Sequence, residues 1–148
     1  MAFRGFFDTT LDAKNRLTIP VKQRRPLEEG AVVALQQDAK RCIAIWCTED
    51  FNAYVDGLID GMHPLSPDRV KLERYFHAYS TEVELDSAGR VMLPGPLLEQ
   101  AGIGREITLI GARSRLEVWD RDAWRLASDD MLNTVQEIGP GSGDGHTS

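Results

Sequence analysis

LDAKNRLTIP, residues 11–20, and LDSAGRVMLP, residues 85–94, are two copies of one motif. Leu, Asp, Arg and Pro recur in them at a constant offset of 74 residues. About 20 residues after each copy comes a matching ending, IAIWCTEDF (43–51) and LEVWDRDAW (116–124), in which Trp46 corresponds to Trp119. The chain is therefore an internal duplication. Neither copy is long enough to bury a sizeable core alone, so we expect the two to fold together.

Each copy has the pattern of a strand, a tight turn, a second strand, a short helix and then a hairpin of two more strands. The first hairpin is predicted to turn at Gln37–Lys40. Apolar residues recur at helical spacing from Phe51 to Met62 and from Trp124 to Ile138, and Ser66-Pro67-Asp68 is a helix start signal. The fold class predicted is mainly β with peripheral α-helices.

The repeats also predict the division of the chain. We expect a first domain at 7–53, a helical linker at 54–79, a second domain at 80–125, and a C-terminal helix followed by a disordered Gly/Ser-rich tail at 126–148.

Composition limits the compartment and the chemistry. The hydrophobic content of 42% is ordinary, no run approaches the ~20 apolar residues of a membrane span, and the N-terminus lacks a secretory core. Cys42 and Cys47 lie in one predicted strand and point to opposite faces, which favours two reduced thiols. His63, His77 and His146 are not at metal-ligand spacing. We expect a cytoplasmic protein with no membrane association, metal or cofactor.

The formal net charge of −6 is unevenly distributed. Lys14–Arg25 contains five basic residues and no acidic one, whereas the segment between the repeats and the C-terminal tail are acidic. The local excess of positive charge, and not the total, decides which surface an anion meets. This basic run is the candidate anion-binding segment.

The Asp-x-x-x-Arg spacing predicts two tight turns. An aspartate can accept backbone N–H groups across its own turn, and Asn and Gly are the residues that most readily adopt positive φ before the arginine. The residues concerned are Asp12, Asn15 and Arg16 in the first turn, and Asp86, Gly89 and Arg90 in the second. We interpret both aspartates and Gly89 as structural. Each Asp–Arg pair is alternatively no more than an intramolecular ion pair.

These residues resemble a known family. The two Leu-Asp-x-x-x-Arg copies, the FRG start at Phe3–Gly5 and the ending LIGARSRLEVWD at Leu109–Asp120 are similar to the MraZ family of transcriptional regulators, over residues 3–127. Each half also resembles the swapped-hairpin (β-α-β) domain of the AbrB superfamily, most clearly at Leu11–Arg25. The resemblance implies tandem AbrB-like domains related by a pseudo-twofold axis.

The resemblance further implies a sequence-specific DNA-binding repressor of the bacterial division and cell-wall gene cluster, including its own promoter. Such a protein is expected in the nucleoid, as a ring-like homo-oligomer on short direct repeats of double-stranded DNA upstream of its operon. The DNA-contacting residues that it implies are Lys14, Asn15 and Arg16 in the first turn, Arg24 and Arg25 after the short helix, and Arg90 in the second turn. The second copy has Ala88 in place of Lys14 and Leu98-Glu99 in place of the paired arginines, so it is expected to read DNA less or to serve in assembly.

Two other functions are compatible with parts of the sequence pattern. Carboxylates from duplicated halves could form an aspartic-hydrolase dyad from Asp12 and Asp86, but an arginine four residues after each one opposes the sharing of a proton. An antitoxin-type protein of the same fold would bind DNA and also a toxin, and is expected to carry one such domain with a long tail. The sequence favours a regulator that is not an enzyme.

Overall fold

The computed structural model describes residues 2–37 and 41–139. Residues 38–40 of the predicted hairpin turn, and residues 140–148 of the tail predicted to be disordered, lie outside this range. The strands are β1 (Phe6–Thr10), β2 (Arg16–Thr18), β3 (Ala31–Gln37), β4 (Arg41–Cys47), β5 (Ser80–Val83), β6 (Arg90–Met92), β7 (Glu106–Gly111) and β8 (Leu116–Asp120). The helices are α1 (Val21–Arg24), α2 (Thr48–Ile59), α3 (Pro67–Ala78), α4 (Gly95–Ala101) and α5 (Arg121–Ile138), with a 3-10 turn at Arg25–Leu27.

The two halves exchange their first strands. Six strands form one sheet in the order β1-β7-β8-β4-β3-β5, so β1 pairs with β7 of the second half and β5 pairs with β3 of the first. The hairpins β3–β4 and β7–β8 meet at the centre of the sheet, where β4 pairs with β8. This interlocked arrangement confirms the prediction of a mainly β fold with peripheral helices. It also explains why neither repeat needs a core of its own.

The second strands of the two halves form a separate two-stranded ribbon. β2 and β6 pair antiparallel, with Leu17 opposite Val91. Leu17 and Val91 are fully buried, as are Ile19 and Leu93 just beyond the strands, so one face of the ribbon packs on the large sheet. The opposite face of the ribbon is left at the molecular surface.

The main core lies between the ribbon and the inner face of the six-stranded sheet. The alternation of side chains along each strand sends every second residue of β3, β4, β7 and β8 into it. The largest fully buried side chains of those strands are Val33, Ile43, Ile45, Ile107, Leu109, Leu116 and Val118. The short helix α4 packs against this core through Leu97 and Leu98, and the 3-10 turn after α1 packs against it through Leu27. The core therefore fixes the ribbon rigidly.

The longer helices cover the outer face of the sheet. Trp46 packs with α2 and α3, and Trp119 packs with α5, so both tryptophans are core residues. Ser66 caps α3 by accepting a hydrogen bond from the backbone N–H of Arg69, so the predicted start signal is correct. The predicted domain limits at 53/54 and 125/126 fall inside α2 and α5. Both cysteines are free thiols, as expected.

None of the helices described, which lie within residues 2–139, is long and apolar enough to cross a membrane.

Candidate nucleic-acid interface

The first turn is closed by Asp12 in the way its spacing predicts. Asp12 Oδ1 accepts the backbone N–H groups of Lys14 at 2.9 Å and Arg16 at 2.8 Å, and Oδ2 accepts Arg16 Nε at 2.7 Å. Asn15 has a φ of 60°, the left-handed conformation that asparagine tolerates better than most residues. One carboxylate thus fixes both the backbone of the turn and the guanidinium of Arg16, which it holds through Nε.

The second turn repeats this geometry. Asp86 Oδ1 accepts the backbone N–H groups of Ala88 and Arg90, both at 2.9 Å, and Oδ2 accepts Arg90 Nε at 2.9 Å. Gly89 takes the left-handed position with a φ of 77°. The intramolecular ion pair that sequence reasoning weighed as an alternative is therefore present in both turns, and it holds each arginine in a defined orientation.

Hydrogen bonds between the halves couple the two turns. The N–H of Ile19 donates to the carbonyl of Gly89, and the N–H of Leu93 donates to the carbonyl of Asn15, both at 2.9 Å. These two bonds are related by the same 74-residue offset as the motifs. In each turn, the carbonyl of the residue with positive φ therefore accepts a hydrogen bond from the residue just after the strand of the other half. The two turns consequently form one structural unit.

The pairing register of the ribbon brings both arginines to one face. Arg16 lies opposite Met92, and Thr18 lies opposite Arg90. Directly opposed residues project to the same side, and that side alternates with the buried Leu17. The outer face of the ribbon, which we define as Arg16, Thr18, Arg90 and Met92, is therefore a single surface with one guanidinium at each of two diagonal corners. Arg90 belongs to the second turn, as predicted, and the register places it diagonally across from Arg16 on this face, a relation that the sequence pattern does not indicate.

Arg24 connects the first half to the second turn. Its Nε donates to the carbonyl of Ile19 at 2.8 Å, and its half-buried guanidinium lies directly against Gly89. A Cβ at Gly89 would collide with the Arg24 guanidinium. The absence of a side chain at Gly89 thus does two things: it permits positive φ and makes room for Arg24. Lys14 and Arg25 are exposed, and neither side chain makes a comparable contact with the residues that the structure describes.

Arg105 supports the first turn from outside it, and sequence reasoning missed this residue. Its Nη1 donates to the carbonyls of Asp12 at 2.7 Å and Leu11 at 3.4 Å, and its own carbonyl accepts the N–H of Leu11 at 2.9 Å. It approaches from just before β7 and holds the outside of the first turn. No local pattern signals this contact, because Arg105 is separated from its partner by 93 residues in sequence.

Comparison with known proteins identifies the family. The family model described as "MraZ protein, putative antitoxin-like" matches residues 2–64 and 76–135. The chain belongs to the MraZ family. Proteins named Transcriptional regulator MraZ are similar along nearly their whole length. The one from Coxiella burnetii strain RSA 493 is 31% identical over 133 residues, 88% of this chain and 87% of that protein. The one from Alkalilimnicola ehrlichii is 32% identical over 140 residues, 93% of each. The one from Lachnoclostridium phytofermentans is 30% identical over 135 residues, 91% and 93%.

Membership of the MraZ family confirms a transcriptional regulator that is not an enzyme. The pKa values of Asp12 and Asp86 are consistent with this. The pKa of Asp12 is lowered to about 2, mainly because its carboxylate accepts the backbone N–H of Arg16. The pKa of Asp86 is lowered for the same reason through Arg90. A hydrolytic dyad needs one carboxyl with a raised pKa. Asp12 and Asp86 are both held ionised, each by its own turn, so the aspartic-hydrolase hypothesis is wrong.

No cluster of His, Cys, Asp and Glu that could hold a metal ion occurs within residues 2–37 and 41–139. His146 lies beyond these residues. The outer face of the ribbon presents the hydrogen-bond donors and positive charge of Arg16 and Arg90. Both are suited to recognition of an anion with acceptor groups.

The low pKa of Asp12 makes the turn sensitive to acid in a defined direction. A carboxyl whose pKa is lower in the folded state stabilises the fold fully above its unfolded pKa of about 4. That contribution is lost as the pH falls through the folded value of about 2. We expect Asp12→Asn to melt at a lower temperature than wild type at pH 6, and the difference to shrink between pH 4 and pH 2.

Thermal melts followed by circular dichroism at several pH values measure this gap. Asp56→Asn, at an exposed position on α2, is the matched control and should melt like wild type throughout. A gap of equal size at pH 6 and pH 2 would show that the charge of Asp12 does not hold the turn.

Proposed function

We propose that this regulator is a sequence-specific DNA-binding repressor that inserts the outer face of its ribbon into the major groove. The observation that carries the proposal is the register of β2 and β6, which presents Arg16 and Arg90 together on an exposed face. The major groove admits a two-stranded β-ribbon, and arginine is the side chain best suited to a bidentate contact with O6 and N7 of guanine. A buried reverse face keeps such a ribbon rigid.

The ion pairs favour this role and do not oppose it. Within the described residues, Nε is the one side-chain donor of Arg16 that enters a hydrogen bond, and the same holds for Arg90. The terminal amino groups of each guanidinium remain for a ligand. Because the side chains are 29% and 33% exposed, they are accessible yet already ordered. Pre-ordering reduces the conformational entropy that binding would otherwise remove.

Basic residues around the first turn supply contacts to the DNA backbone. Lys14 and Asn15 flank Arg16 on the turn itself, and Arg24 and Arg25 follow at the end of α1. We assign Lys14 and Asn15 to base edges beside Arg16, and Arg24 and Arg25 to phosphates. Arg24 has an additional positioning role, because it lies against the second turn. Neutralised phosphates release counterions, so affinity should fall steeply with salt.

Self-association is part of the proposed function, because one ribbon offers few contacts and repeated presentation raises effective concentration. The helix α5 is the candidate contact surface. Its pseudo-symmetric counterpart α2 is covered by Leu72 and Phe76 from α3, whereas α5 exposes apolar side chains at Leu126, Met131, Leu132, Val135 and Ile138. A groove of about 490 Å³ continues this surface between Phe6 and Trp124. A second copy would cover it, and successive copies would build a ring-like homo-oligomer.

The DNA targets that fit such an assembly are short direct repeats. We assign them to the region upstream of the operon that contains this chain's own gene, in the division and cell-wall gene cluster. The protein would then act in the nucleoid and repress its own promoter. The assignment of DNA targets rests on the resemblance to the MraZ family. The assignment of the binding surface rests on the register of β2 and β6.

Fluorescence anisotropy with a labelled fragment from immediately upstream of this gene tests the proposal. We expect tighter binding to this fragment than to a scrambled one of equal composition. Raising salt from about 50 to 200 mM should weaken binding by about 10³-fold or more if six or more phosphates are contacted. Sedimentation velocity of the free protein should show an assembly larger than a monomer. Equal, salt-insensitive binding to both fragments would contradict the proposal.

An antitoxin-type function would use the same ribbon for DNA. It differs by requiring a second protein bound in fixed stoichiometry. Purification of the tagged chain from its own cells separates the two functions, because a repressor acting alone yields self-assembled chain, whereas an antitoxin carries its toxin.

A further inference from the structure

Two side chains on the outer face of the ribbon have no role in the contacts described so far. Met92 is 57% exposed and lies opposite Arg16, and Thr18 is exposed and lies opposite Arg90. They occupy equivalent positions in the two halves, at the 74-residue offset of the motif. A lone exposed apolar residue needs no explanation on a protein surface. The position of these two is informative because each lies between the two arginines.

The dimensions of this face match a short stretch of duplex. Directly opposed Cβ atoms in an antiparallel pair are about 5 Å apart, and positions two apart on a strand are separated by about 7 Å. Base pairs in B-DNA are stacked about 3.4 Å apart. The face therefore spans about two base-pair steps, with an arginine at one pair of diagonal corners and a methyl-bearing side chain at the other pair.

The chemistry of the base edges determines which base Met92 and Thr18 would contact. Thymine is the one base whose major-groove edge carries a methyl group, at C5. A threonine methyl is a known partner for that group, and the flexible thioether of methionine adapts to an irregular apolar surface. A polar base edge placed against Met92 would lose its water without gaining a hydrogen bond.

We infer that Met92 and Thr18 are specificity-determining residues that contact the C5-methyl groups of thymines adjacent to the guanines read by Arg16 and Arg90. The inference rests on the proposed function and deepens it. Met92 has the longer side chain, so it makes the larger contribution. The two halves consequently read neighbouring base steps with unequal discrimination, although their turns are nearly identical.

Replacement of single thymines by deoxyuridine tests this contact, because it removes the methyl group and leaves base pairing intact. The upstream fragment is made with one deoxyuridine at a time and titrated by anisotropy with the full chain. At one or more thymines, wild type should lose about three- to fivefold in affinity, the contribution expected from one buried methyl group. Met92→Ala should bind the unmodified fragment more weakly and lose less than twofold further at the same position.

Two variants serve as controls. Thr18→Ser removes only a methyl group and should abolish a smaller effect at a different thymine. Leu65→Ala, at a residue that is 82% exposed outside the ribbon, should retain the full deoxyuridine effect. If wild type prefers the upstream fragment but no deoxyuridine matters, or if Met92→Ala keeps the whole effect, this inference is overturned and the proposed function stands. If wild type prefers neither fragment, the proposed function fails and this inference fails with it.

Discussion

Gly89→Ala should lower the free energy of unfolding by about 2–4 kcal/mol, more than any other single methyl group added to the turns. About 1–2 kcal/mol of this comes from forcing an L-residue into a left-handed conformation at φ 77°. The remainder comes from Arg24, because the new Cβ displaces its guanidinium and breaks the charged hydrogen bond to the carbonyl of Ile19. Thermal and urea unfolding followed by circular dichroism measure the change.

A double-mutant cycle isolates the part played by Arg24. Arg24→Ala alone should destabilise, and it should add little in the Gly89→Ala background, since the same hydrogen bond is already lost. Asn15→Ala is the matched control, because Asn15 has a φ of 60° in the equivalent turn and the residue that corresponds to Arg24 in the other half is Leu98. It should cost less than Gly89→Ala. Fully additive losses from Gly89→Ala and Arg24→Ala would contradict the packing of Arg24 on the second turn.

Arg16→Ala should lower affinity for the upstream fragment by about 10- to 100-fold, the range of one lost bidentate contact. Binding to the scrambled fragment should change far less. The fold should be nearly unaffected, because Asp12 keeps its two backbone hydrogen bonds and a partly exposed ion pair contributes at most about 1 kcal/mol. Anisotropy titrations of both fragments, with melting curves of the variant, measure the two effects.

Charge and shape are separated by two further variants. Arg16→Lys keeps the positive charge but lacks the planar fork, so it should recover salt-dependent affinity without recovering preference for the upstream fragment. Arg74→Ala removes an equal charge from an exposed position on α3, on the outer side of the large sheet, and should bind like wild type. If Arg74→Ala and Arg16→Ala weakened binding equally, the ribbon would have no special role.

The sequence was sufficient for the local geometry of the turns. Asp-x-x-x-Arg with Asn or Gly before the arginine predicted the carboxylate bridge and the positive φ at residues 15 and 89, and all three features are present. These features depend on contacts within five residues, so the pattern contains the whole explanation. The fold class could be predicted from the resemblance to swapped-hairpin domains, because that fold follows from the order of short strands and helices along the chain.

Contacts between the halves could not be predicted from the pattern. The register that opposes Arg16 to Met92, the packing of Arg24 on Gly89 and the support of the first turn by Arg105 all join residues about 65 or more apart in sequence. They depend on how the core of Leu17 and Val91 sets the ribbon on the sheet. Sequence reasoning therefore identified the arginines singly, and the structure showed that two of them share one face.

The most direct test of the ribbon as the DNA-reading surface uses 7-deazaguanine, which lacks the N7 acceptor in the major groove. Guanines of the upstream fragment are replaced one at a time, and each fragment is titrated with wild type and with Arg16→Ala. The ribbon account predicts at least one guanine at which wild type loses about tenfold in affinity and Arg16→Ala loses almost nothing more. The account is contradicted if both proteins lose the same factor at every guanine, or if no guanine matters to wild type.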